Sequence, residues 1–358
     1  MQAAVLRAFG ADLTLEEILL DAPGPGQVRV RIAACAICHS DIAFINGAFG
    51  GDLPMVLGHE AAGQVETVGP GVVGIDPGDP VLVTLIRTCG DCPACSAGNP
   101  TSCHDAYTHR PTPIHAADGP VTQAMATGAF AEAVVIDQSQ CVKLPEGLDL
   151  TVASLLACGV ITGFGAVTNT ARLAEGQSCA VIGAGGVGLN TIQGARLSGA
   201  ERIVAVDISQ QKLDMARHFG ATDTILASEE DTAEGIRSRL DGKGVDFAFV
   251  TAGAVELFET APALLGAGGA MVMVGMPAVD ARVSYSPTTI AAMNQSLLGS
   301  RMGQTVLHRD IPHLIGLYEQ GALLLDPLIS GRYPFAEINT AIAATKRGDS
   351  LRNVLVFE

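Results

Sequence analysis

Residues 179–188 read CAVIGAGGVG, a short apolar stretch that runs directly into a cluster of glycines. Within it, Gly183, Gly185 and Gly188 form a G-x-G-x-x-G pattern that leaves a predicted strand and opens a predicted helix. The first glycine permits a tight turn, the second lets the backbone approach a pyrophosphate, and the third lets helix and strand pack closely. Asp207 follows 19 residues after Gly188, where a carboxylate would bind the adenosine ribose and repel a 2′-phosphate. The stretch predicts a dinucleotide-binding turn that favours NAD over NADP; a glycine turn without a nucleotide is the alternative.

The sequence around this turn alternates between strand-like and helix-like segments. Strands are predicted at 179–185, 202–207, 223–226, 245–253 and 269–276. Helices are predicted at 186–200, 210–221 and 255–265. Alternation of this kind indicates βαβ units and a parallel sheet.

The N-terminal half has a different character. Residues 27–34 alternate apolar and polar side chains, as a half-exposed strand does. Residues 69–80 are dense in Gly and Pro, which predicts turns leading into a strand at 81–86. The chain ends in a strand-like segment at 354–357. A length of 358 residues suggests two domains, at about 150 residues for each.

Composition and charge exclude several classes of protein. The chain is 48% apolar and 16% charged, which rules out a disordered protein. Its net charge of −16, from 21 basic and 37 acidic residues, disfavours nucleic acid and anionic membranes as partners. The N-terminus lacks a signal-peptide pattern, and the uncharged stretch 150–171 is interpreted as a buried helix and loop rather than a membrane span. We therefore expect a cytoplasmic protein whose nine cysteines stay reduced and serve metal binding or catalysis.

Four cysteines lie close together in a loop-rich segment. Cys89, Cys92, Cys95 and Cys103 fall within 15 residues, among several prolines. Four thiolates at this spacing suit a closed tetrahedral zinc site, which would also give the segment its shape. An iron–sulfur cluster is an alternative, although the spacing fits neither standard ferredoxin pattern, and free thiols are another.

A third set of candidate residues is dispersed along the chain. It comprises CHSD (38–41), GHE (58–60) and Cys158. Each is ordinary when taken alone: Cys158 stands in an apolar run that is typical of core packing, and Cys35 with Cys38 could form a redox pair. Spacing alone does not assemble these residues into a site. The remaining cysteines, Cys35, Cys141 and Cys179, are predicted to be core residues.

These motifs together resemble those of the zinc-dependent medium-chain alcohol dehydrogenases, and the resemblance covers essentially the whole chain. It rests on CHSD (38–41), GHE (58–60), the four-cysteine segment, ACGVITG (157–163), GAGGVG (183–188) and Asp207. The resemblance implies an α/β protein with a GroES-like β-barrel catalytic domain at 1–159 and 302–358. A Rossmann NAD-binding domain, a doubly wound parallel sheet, would be inserted at 160–301.

The resemblance also implies a catalytic zinc ion bound by Cys38, His59 and Cys158, with an open fourth position. Glu60 resembles an acid that reaches this zinc when its ligands exchange. Asp41 resembles the carboxylate that orients the zinc-binding imidazole. With the four-cysteine site, this gives two zinc ions per chain.

The implied chemistry is hydride transfer from an alcohol to the nicotinamide ring. Zinc lowers the pKa of a bound hydroxyl toward neutrality, and Ser40 would take the alcohol proton. Many relatives carry a histidine five residues after the first cysteine ligand, which passes the proton onward. Ala43 occupies that position here, so the relay must end in water, the cofactor ribose or another base.

Further NAD contacts are implied by matching positions. Lys212 would reach the adenosine ribose, and His39 and Arg352 the pyrophosphate. The nicotinamide end would contact Thr162, Val187, Val274 and Ser300. Gly186, within the glycine turn, is a further expected NAD contact. The substrate pocket would be lined by Leu85, Phe130, Met276 and Arg301. Leu85 replaces a frequent aromatic residue, and Arg301 could bind an anionic group or lie at the surface.

The main functional hypothesis is a dehydrogenase that converts a primary or secondary alcohol to the aldehyde or ketone with NAD. Alternatives on the same fold are oxidation of a polyol, an anionic alcohol or a thiol–formaldehyde adduct. A binding protein without turnover would be favoured by loss of a zinc ligand, and a zinc-free NADPH quinone reductase is disfavoured by Asp207 and both ligand sets. A homodimer is expected through 269–276 and 295–304, which would cover a sheet edge, and a homotetramer is a further possibility.

Overall fold

The computed structural model describes residues 1–106, 111–348 and 350–358. Contacts divide the chain into two compact units. Unit 1 comprises Met1–Gly159, Val306–Tyr318 and Leu325–Glu358. Unit 2 comprises Val160–Thr305 and Glu319–Leu324. Strands and helices occur in both units, as the α/β prediction requires.

The elements follow one another in three blocks. The first block contains β1 (Gln2–Leu6), β2 (Thr14–Glu17), β3 (Leu19–Leu20), β4 (Gln27–Ala36), α1 (His39–Ile45), β5 (Met55–Val56), β6 (Glu60–Val68), β7 (Pro80–Thr84), α2 (Pro93–Ser96), β8 (Ile114–Ala116), β9 (Gly119–Gln123), β10 (Ala133–Asp137), β11 (Cys141–Lys143) and α3 (Leu150–Ser154). The second contains α4 (Gly159–Gly165), β12 (Ser178–Ile182), α5 (Gly186–Leu197), β13 (Arg202–Asp207), α6 (Gln210–Phe219), β14 (Asp223–Leu226), α7 (Thr232–Arg239), β15 (Val245–Val250), α8 (Val255–Thr260), β16 (Leu265–Met273), α9 (Pro287–Ala292) and β17 (Ser296–Gly299). The third contains α10 (Leu307–Glu319), β18 (Ile329–Pro334), α11 (Ile338–Arg347) and β19 (Arg352–Val356).

Unit 1 is built from two sheets around a shared apolar core. One sheet has the order β2-β1-β5-β9-β8-β3, and the other has β11-β7-β6-β4-β19-β18 with β10 also paired to β4. Strands β2 and β3 end the first order, yet only Ile18 separates them in the chain, so this sheet curls back on itself. The apolar faces of both sheets contribute to one buried cluster. In the second sheet β6 and β7 are antiparallel neighbours, and the motif GHE (58–60) lies at the start of β6.

Unit 2 contains one parallel sheet with the order β14-β13-β12-β15-β16-β17. The chain moves outward from β12 to β14 and then returns to the other side of β12 with β15. In sheets of this topology, ligands bind where the order reverses, at the carboxyl ends of the strands. The glycine turn 183–188 follows β12 at this position. The five predicted strands and the helices at 186–200 and 210–221 are confirmed, with ends that differ by a few residues.

Two stretches differ in detail from the predictions. The helix predicted at 255–265 divides into α8 and a 3-10 turn at Ala261–Leu264, where Pro262 has no amide N–H for an α-helical bond. The uncharged stretch 150–171 forms a broken series of helices, most of it buried, as interpreted. Across the described residues, no single helix is long and apolar enough to cross a membrane, although the bent pair Leu150–Ala157 and Gly159–Ala171 meets the length and composition criteria together. The prediction that Cys35, Cys141 and Cys179 are core residues is confirmed by their burial.

Candidate functional site

Four side chains with metal-ligating atoms meet in unit 1. Cys38 precedes α1, His59 and Glu60 lie at the start of β6, and Cys158 follows a 3-10 turn at Leu155–Ala157. One ligand atom from each lies within 4.8 Å of the others. His59 and Glu60 are fully buried, and Cys158 is 7% exposed. The fold thus brings together the residues that spacing alone could not assemble.

Local backbone geometry explains how two of these residues enter the cluster. Gly58 has a φ of +88°, and a Cβ at this position would lie 2.5 Å from the ring of Phe130. Only glycine permits the turn that directs His59 inward. At Cys158, the backbone leaves helical geometry (φ −147°, ψ −70°), which separates the 3-10 turn from α4. Phe130 itself has no exposed surface, and its ring packs against the Gly58 turn.

Asp41 fixes the geometry of this cluster. Its Oδ1 accepts hydrogen bonds from His59 Nδ1 at 3.2 Å and from the Gly58 N–H at 3.1 Å, and its Oδ2 accepts from the Cys38 N–H at 3.0 Å. One buried carboxylate therefore holds two prospective ligands. Burial lowers the pKa of His59, but the Asp41 carboxylate and Cys38 together outweigh burial and move the pKa well above its usual value. The other ring nitrogen, Nε2, lies 3.3 Å from Ser40 Oγ.

Glu60 has one paired and one unpaired carboxylate oxygen. Oε1 accepts a hydrogen bond from Arg352 Nη1 at 3.2 Å, and both side chains are almost fully buried. Oε2 is buried and has no hydrogen-bond partner among the described residues. Burial raises the pKa of Glu60 to about 8, against the opposing attraction of Arg352. A buried, unpaired carboxylate oxygen beside two thiols and an imidazole fits a cation.

Gly159 leaves the space that the Arg352 guanidinium occupies. A Cβ on Gly159 would lie 1.7 Å from Arg352 Nη2. The guanidinium therefore packs directly on the backbone next to Cys158. Sequence reasoning assigned Arg352 to a pyrophosphate and missed its contact with Glu60, since no spacing rule links residues so far apart in the chain.

The two thiols of the cluster shift each other's pKa in opposite directions. Their mutual hydrogen bond lowers the pKa of Cys38 well below its usual value and raises the pKa of Cys158 well above it. A bound divalent cation would favour the thiolate form of both. Two thiolates and one imidazole are the donor chemistry of zinc rather than of magnesium or calcium, and Glu60 offers an oxygen beside the remaining position.

The four-cysteine segment forms a second donor cluster in unit 1. The ligand atoms of Cys89, Cys92, Cys95 and Cys103 lie within 4.8 Å of one another. The Cys89 sulfur lies 3.5 Å from that of Cys103 and 4.0 Å from that of Cys95. These separations exclude disulfides, whose sulfur atoms are about 2.05 Å apart. They match the edge of about 3.8 Å that a tetrahedron of sulfurs has when each lies about 2.3 Å from a zinc ion.

The glycine turn of unit 2 has the geometry that its sequence predicts. Gly183 has a φ of +96°, and a Cβ on Gly188 would lie 1.8 Å from the Gly183 carbonyl oxygen. A Cβ on Gly185 would meet no described heavy atom within 4 Å apart from its chain neighbours. Gly185 also precedes the 12-residue helix α5 without a side-chain cap. Open space beside uncapped N–H groups fits a pyrophosphate.

Asp207 is fixed against this turn at the end of β13. Its Oδ2 accepts a hydrogen bond from the Ala184 N–H at 2.7 Å, and its Oδ1 accepts from the Ser209 N–H at 3.0 Å. Sequence reasoning missed Thr251, whose hydroxyl donates to the Gly183 carbonyl oxygen at 2.7 Å. Its position directly after β15, where the strand order reverses, is the signal that would have identified it.

The other predicted residues are distributed as follows. In unit 2, Thr162, Val274 and Ser300 are buried, Gly186, Val187 and Lys212 are half-buried, and Met276 and Arg301 are exposed. Thr162 Oγ1 contacts Met302 Sδ at 3.7 Å, and Ser300 Oγ lies 2.8 Å from Thr170 Oγ1. In unit 1, His39 is exposed and Leu85 is 8% exposed.

Comparisons with known proteins agree with this architecture. Residues 24–146 match the alcohol dehydrogenase GroES-like domain, and residues 186–320 match the zinc-binding dehydrogenase family. The S-(hydroxymethyl)glutathione dehydrogenase of Saccharomyces cerevisiae is 35% identical over 369 residues, which span 99% of this chain and 95% of the yeast protein.

Two solved structures are similar over the full chain. An alcohol dehydrogenase zinc-binding domain protein from Burkholderia ambifaria has a TM-score of 0.95 at 33% identity, covering 100% of this chain and 98% of the other. The benzyl alcohol dehydrogenase of Acinetobacter calcoaceticus has a TM-score of 0.93 at 30% identity, covering 100% and 99%. The chain belongs to the zinc-dependent medium-chain alcohol dehydrogenase family. The predicted combination of a GroES-like domain with a Rossmann sheet is confirmed.

Proposed function

We propose that this protein oxidises a primary or secondary alcohol to the aldehyde or ketone with NAD as the hydride acceptor. The observation that carries the proposal is the donor set of half-buried Cys38 with buried His59 and Cys158, next to the unpaired Oε2 of Glu60. In this family, such a set serves catalysis, since three protein ligands leave one position open.

The catalytic zinc ion would be held by Cys38, His59 and Cys158, and Glu60 would approach it during ligand exchange. A second zinc ion would be held by Cys89, Cys92, Cys95 and Cys103 and would stabilise their segment. When bound, the catalytic zinc supplies Lewis acidity toward a hydroxyl group, and NAD supplies the hydride acceptor. Asp41 orients the His59 ring and keeps its Nδ1 protonated.

Ser40 is the residue that would accept the alcohol proton. Ser40 is half-buried, and its hydroxyl lies 3.3 Å from His59 Nε2, next to the proposed ligands. Ala43 provides no acid–base group one helical turn further on. The proton would therefore pass from Ser40 to water or to another base.

NAD would be held mainly by unit 2. The pyrophosphate would lie against Gly183, Gly185, Gly186 and Gly188, and the adenosine ribose against Asp207 and Lys212. The fixed carboxylate of Asp207 supports the preference for NAD, because a 2′-phosphate there would meet a negative charge. Thr162, Val187, Val274 and Ser300 would contact the nicotinamide end, and His39 and Arg352 remain proposed pyrophosphate contacts. We propose that residues 1–159 and 302–358 form the catalytic domain and residues 160–301 the NAD-binding domain.

The substrate is a small molecule, and the pocket residues we propose are Leu85, Phe130, Met276 and Arg301. A simple alcohol is favoured by the similarity to the benzyl alcohol dehydrogenase. A thiol–formaldehyde adduct is the second candidate, favoured by the similarity to S-(hydroxymethyl)glutathione dehydrogenase and by an exposed cation at Arg301. The glutathione adduct carries carboxylates that an arginine can bind.

We also propose a homodimer formed through the free edge of β17, with a homotetramer as a further possibility. A groove of about 510 Å³ lies beside this edge and is lined by Tyr285, Ile290 and Gln295, among others. Within the described chain, the Tyr285 hydroxyl and Gln295 Oε1 are buried without a hydrogen-bond partner. A second copy would cover the edge of β17 and the groove beside it. We expect a cytoplasmic location, because the zinc-binding thiols require a reducing compartment.

The test is NADH formation with short, long, aromatic, polyol and anionic alcohols and with a thiol–formaldehyde adduct, using NAD and NADP. Cys158→Ala should abolish turnover and lose one zinc ion. Cys141→Ala, another buried cysteine of unit 1, is the matched control and should keep both. Absence of turnover with every substrate, from protein that holds two zinc ions, would contradict the proposal.

A further inference from the structure

We infer that Thr84 is a positioning residue for the catalytic metal ligand Cys158, acting through a hydrogen bond to the backbone immediately before it. The inference rests on the proposed zinc site. It assigns a role to a residue that neither contacts the metal nor belongs to any of the sequence motifs.

The hydrogen bond joins two elements that are distant in the chain. Thr84 is the last residue of β7 and is fully buried. Its Oγ1 donates to the carbonyl oxygen of Ala157 at 2.7 Å. That carbonyl stands where the helical path is broken at Cys158, so continuous helical bonding is interrupted around it. The hydroxyl of Thr84 thus satisfies a buried carbonyl directly beside the ligand.

Thr84 is also paired, through the backbone, with the strand β6 at which His59 and Glu60 lie. In the antiparallel pairing of β6 and β7, Thr84 lies directly opposite Glu60. His59 immediately precedes Glu60. The contact Thr84–Ala157 therefore sets the position of Cys158 relative to the strand pair that carries the other side of the cluster.

A second buried side chain fixes Thr84 from behind. Gln140 is 1% exposed, and its Nε2 donates to the carbonyl oxygens of Thr84 at 3.0 Å and of Ala126 at 2.9 Å. Its Oε1 accepts from the Asp137 N–H at 3.3 Å. These hydrogen bonds restrict the movement of Thr84. The Thr84 hydroxyl can therefore fix the position of the Ala157 carbonyl.

The expected consequence concerns the zinc ion held by Cys158 rather than the fold as a whole. Without the hydroxyl, the Ala157 carbonyl loses its partner, and the Cys158 sulfur samples positions further from Cys38 and His59. Removal of groups that orient metal ligands weakens metal binding by about 10–100-fold. Because Thr84 acts through the backbone, we expect the lower end, about a tenfold faster release.

The experiment follows zinc release from the holoenzyme into a chelating metal indicator, with Thr84→Val as the test variant. Valine keeps the size and the β-branch and removes only the hydroxyl. Thr84→Val should speed release of one zinc ion about tenfold and leave the second ion unchanged, because the hydrogen bonds described for Thr84 join it to Ala157, Ile86 and Gln140 and not to the four-cysteine cluster. Thr84→Ser should restore the wild-type rate. In the cobalt-substituted enzyme, Thr84→Val should alter the thiolate-to-cobalt absorption band of the catalytic site.

Thr112→Val is the matched control. The Thr112 hydroxyl also donates to a backbone carbonyl, that of Val121, and accepts from the N–H two residues onward, as Thr84 does from Ile86. It lies beside the β8–β9 hairpin, in the other sheet of unit 1, and its loss should leave both release rates unchanged.

The outcomes separate this inference from the proposed function. An unchanged release rate and cobalt spectrum in folded Thr84→Val would overturn the role of Thr84. A wild-type protein whose zinc content does not depend on Cys158 would instead overturn the proposed site. If Thr84→Val does not fold, Thr84→Ala takes its place with the same expected acceleration.

Discussion

Asp41 Oδ1 lies 3.2 Å from His59 Nδ1, and neither side chain has any exposed surface. The same carboxylate also accepts the backbone N–H groups of Cys38 and Gly58. One acidic residue therefore orients the imidazole and fixes the chain on both sides of the proposed metal site. We expect Asp41→Asn to lower the affinity for the catalytic zinc about 10–100-fold, because an amide presents one acceptor oxygen where the carboxylate presents two.

The measurement for Asp41→Asn is zinc stoichiometry against a graded series of chelators, together with kcat. Asp79→Asn is the control, since Asp79 pairs with Lys143 at the surface of the same unit. It should retain two zinc ions and full activity. Retention of the catalytic zinc by Asp41→Asn at wild-type affinity would show that the ligands are held without this carboxylate.

The two halves of the site differ in how far the sequence could predict them. The glycine turn and Asp207 are local: the period of the strands and the spacing of three glycines suffice to predict their structural context. The metal cluster is not local, because Cys158 stands 98 residues after Glu60 and nothing in an apolar run distinguishes a ligand from a core cysteine. The family resemblance predicted that Cys158 joins Cys38, His59 and Glu60, and the fold brings these four side chains together.

Gly159 and Arg352 illustrate a contact for which the sequence carries no signal. A Cβ at residue 159 would overlap the guanidinium, which is buried and hydrogen-bonded to Glu60. We expect Gly159→Ala to displace Arg352 and to lower the free energy of unfolding by about 1–3 kcal/mol, the usual cost of overpacking. Activity should fall as well, since Glu60 loses its partner.

Urea unfolding would measure this change, and Gly316→Ala is its counterpart. Gly316 lies inside α10, and a Cβ there would meet no described atom within 4 Å. Alanine should stabilise that helix by up to about 1 kcal/mol. If both substitutions changed the free energy of unfolding equally, close packing against Arg352 would not be the reason for a glycine at position 159.

The four-cysteine cluster should contribute to stability rather than to chemistry. We expect Cys95→Ser to lose one of the two zinc ions and to unfold at a lower temperature, because the segment from Cys89 to Cys103 contains only short helical turns. The remaining zinc should still be released at the wild-type catalytic-site rate. Calorimetry and metal analysis check this, with Cys141→Ala as the control. Loss of both zinc ions in Cys95→Ser would show that the clusters are not independent.

Asp207 should decide between the two nicotinamide cofactors. Its oxygens already accept two backbone N–H groups, so the side chain is held at the end of β13 without a substrate present. Each hydrogen bond from a ribose hydroxyl to a charged acceptor is worth about 1.5–3 kcal/mol. Asp207→Ser should therefore lower kcat/KM for NAD at least about tenfold, since 1.4 kcal/mol is a factor of ten. The same change removes the charge that repels a 2′-phosphate, so kcat/KM for NADP should rise.

The control is Asp214→Ser, on the exposed side of α6, which should leave the ratio of kcat/KM for NAD to kcat/KM for NADP unchanged. A ratio that does not move in Asp207→Ser would mean that cofactor choice depends on other residues of unit 2.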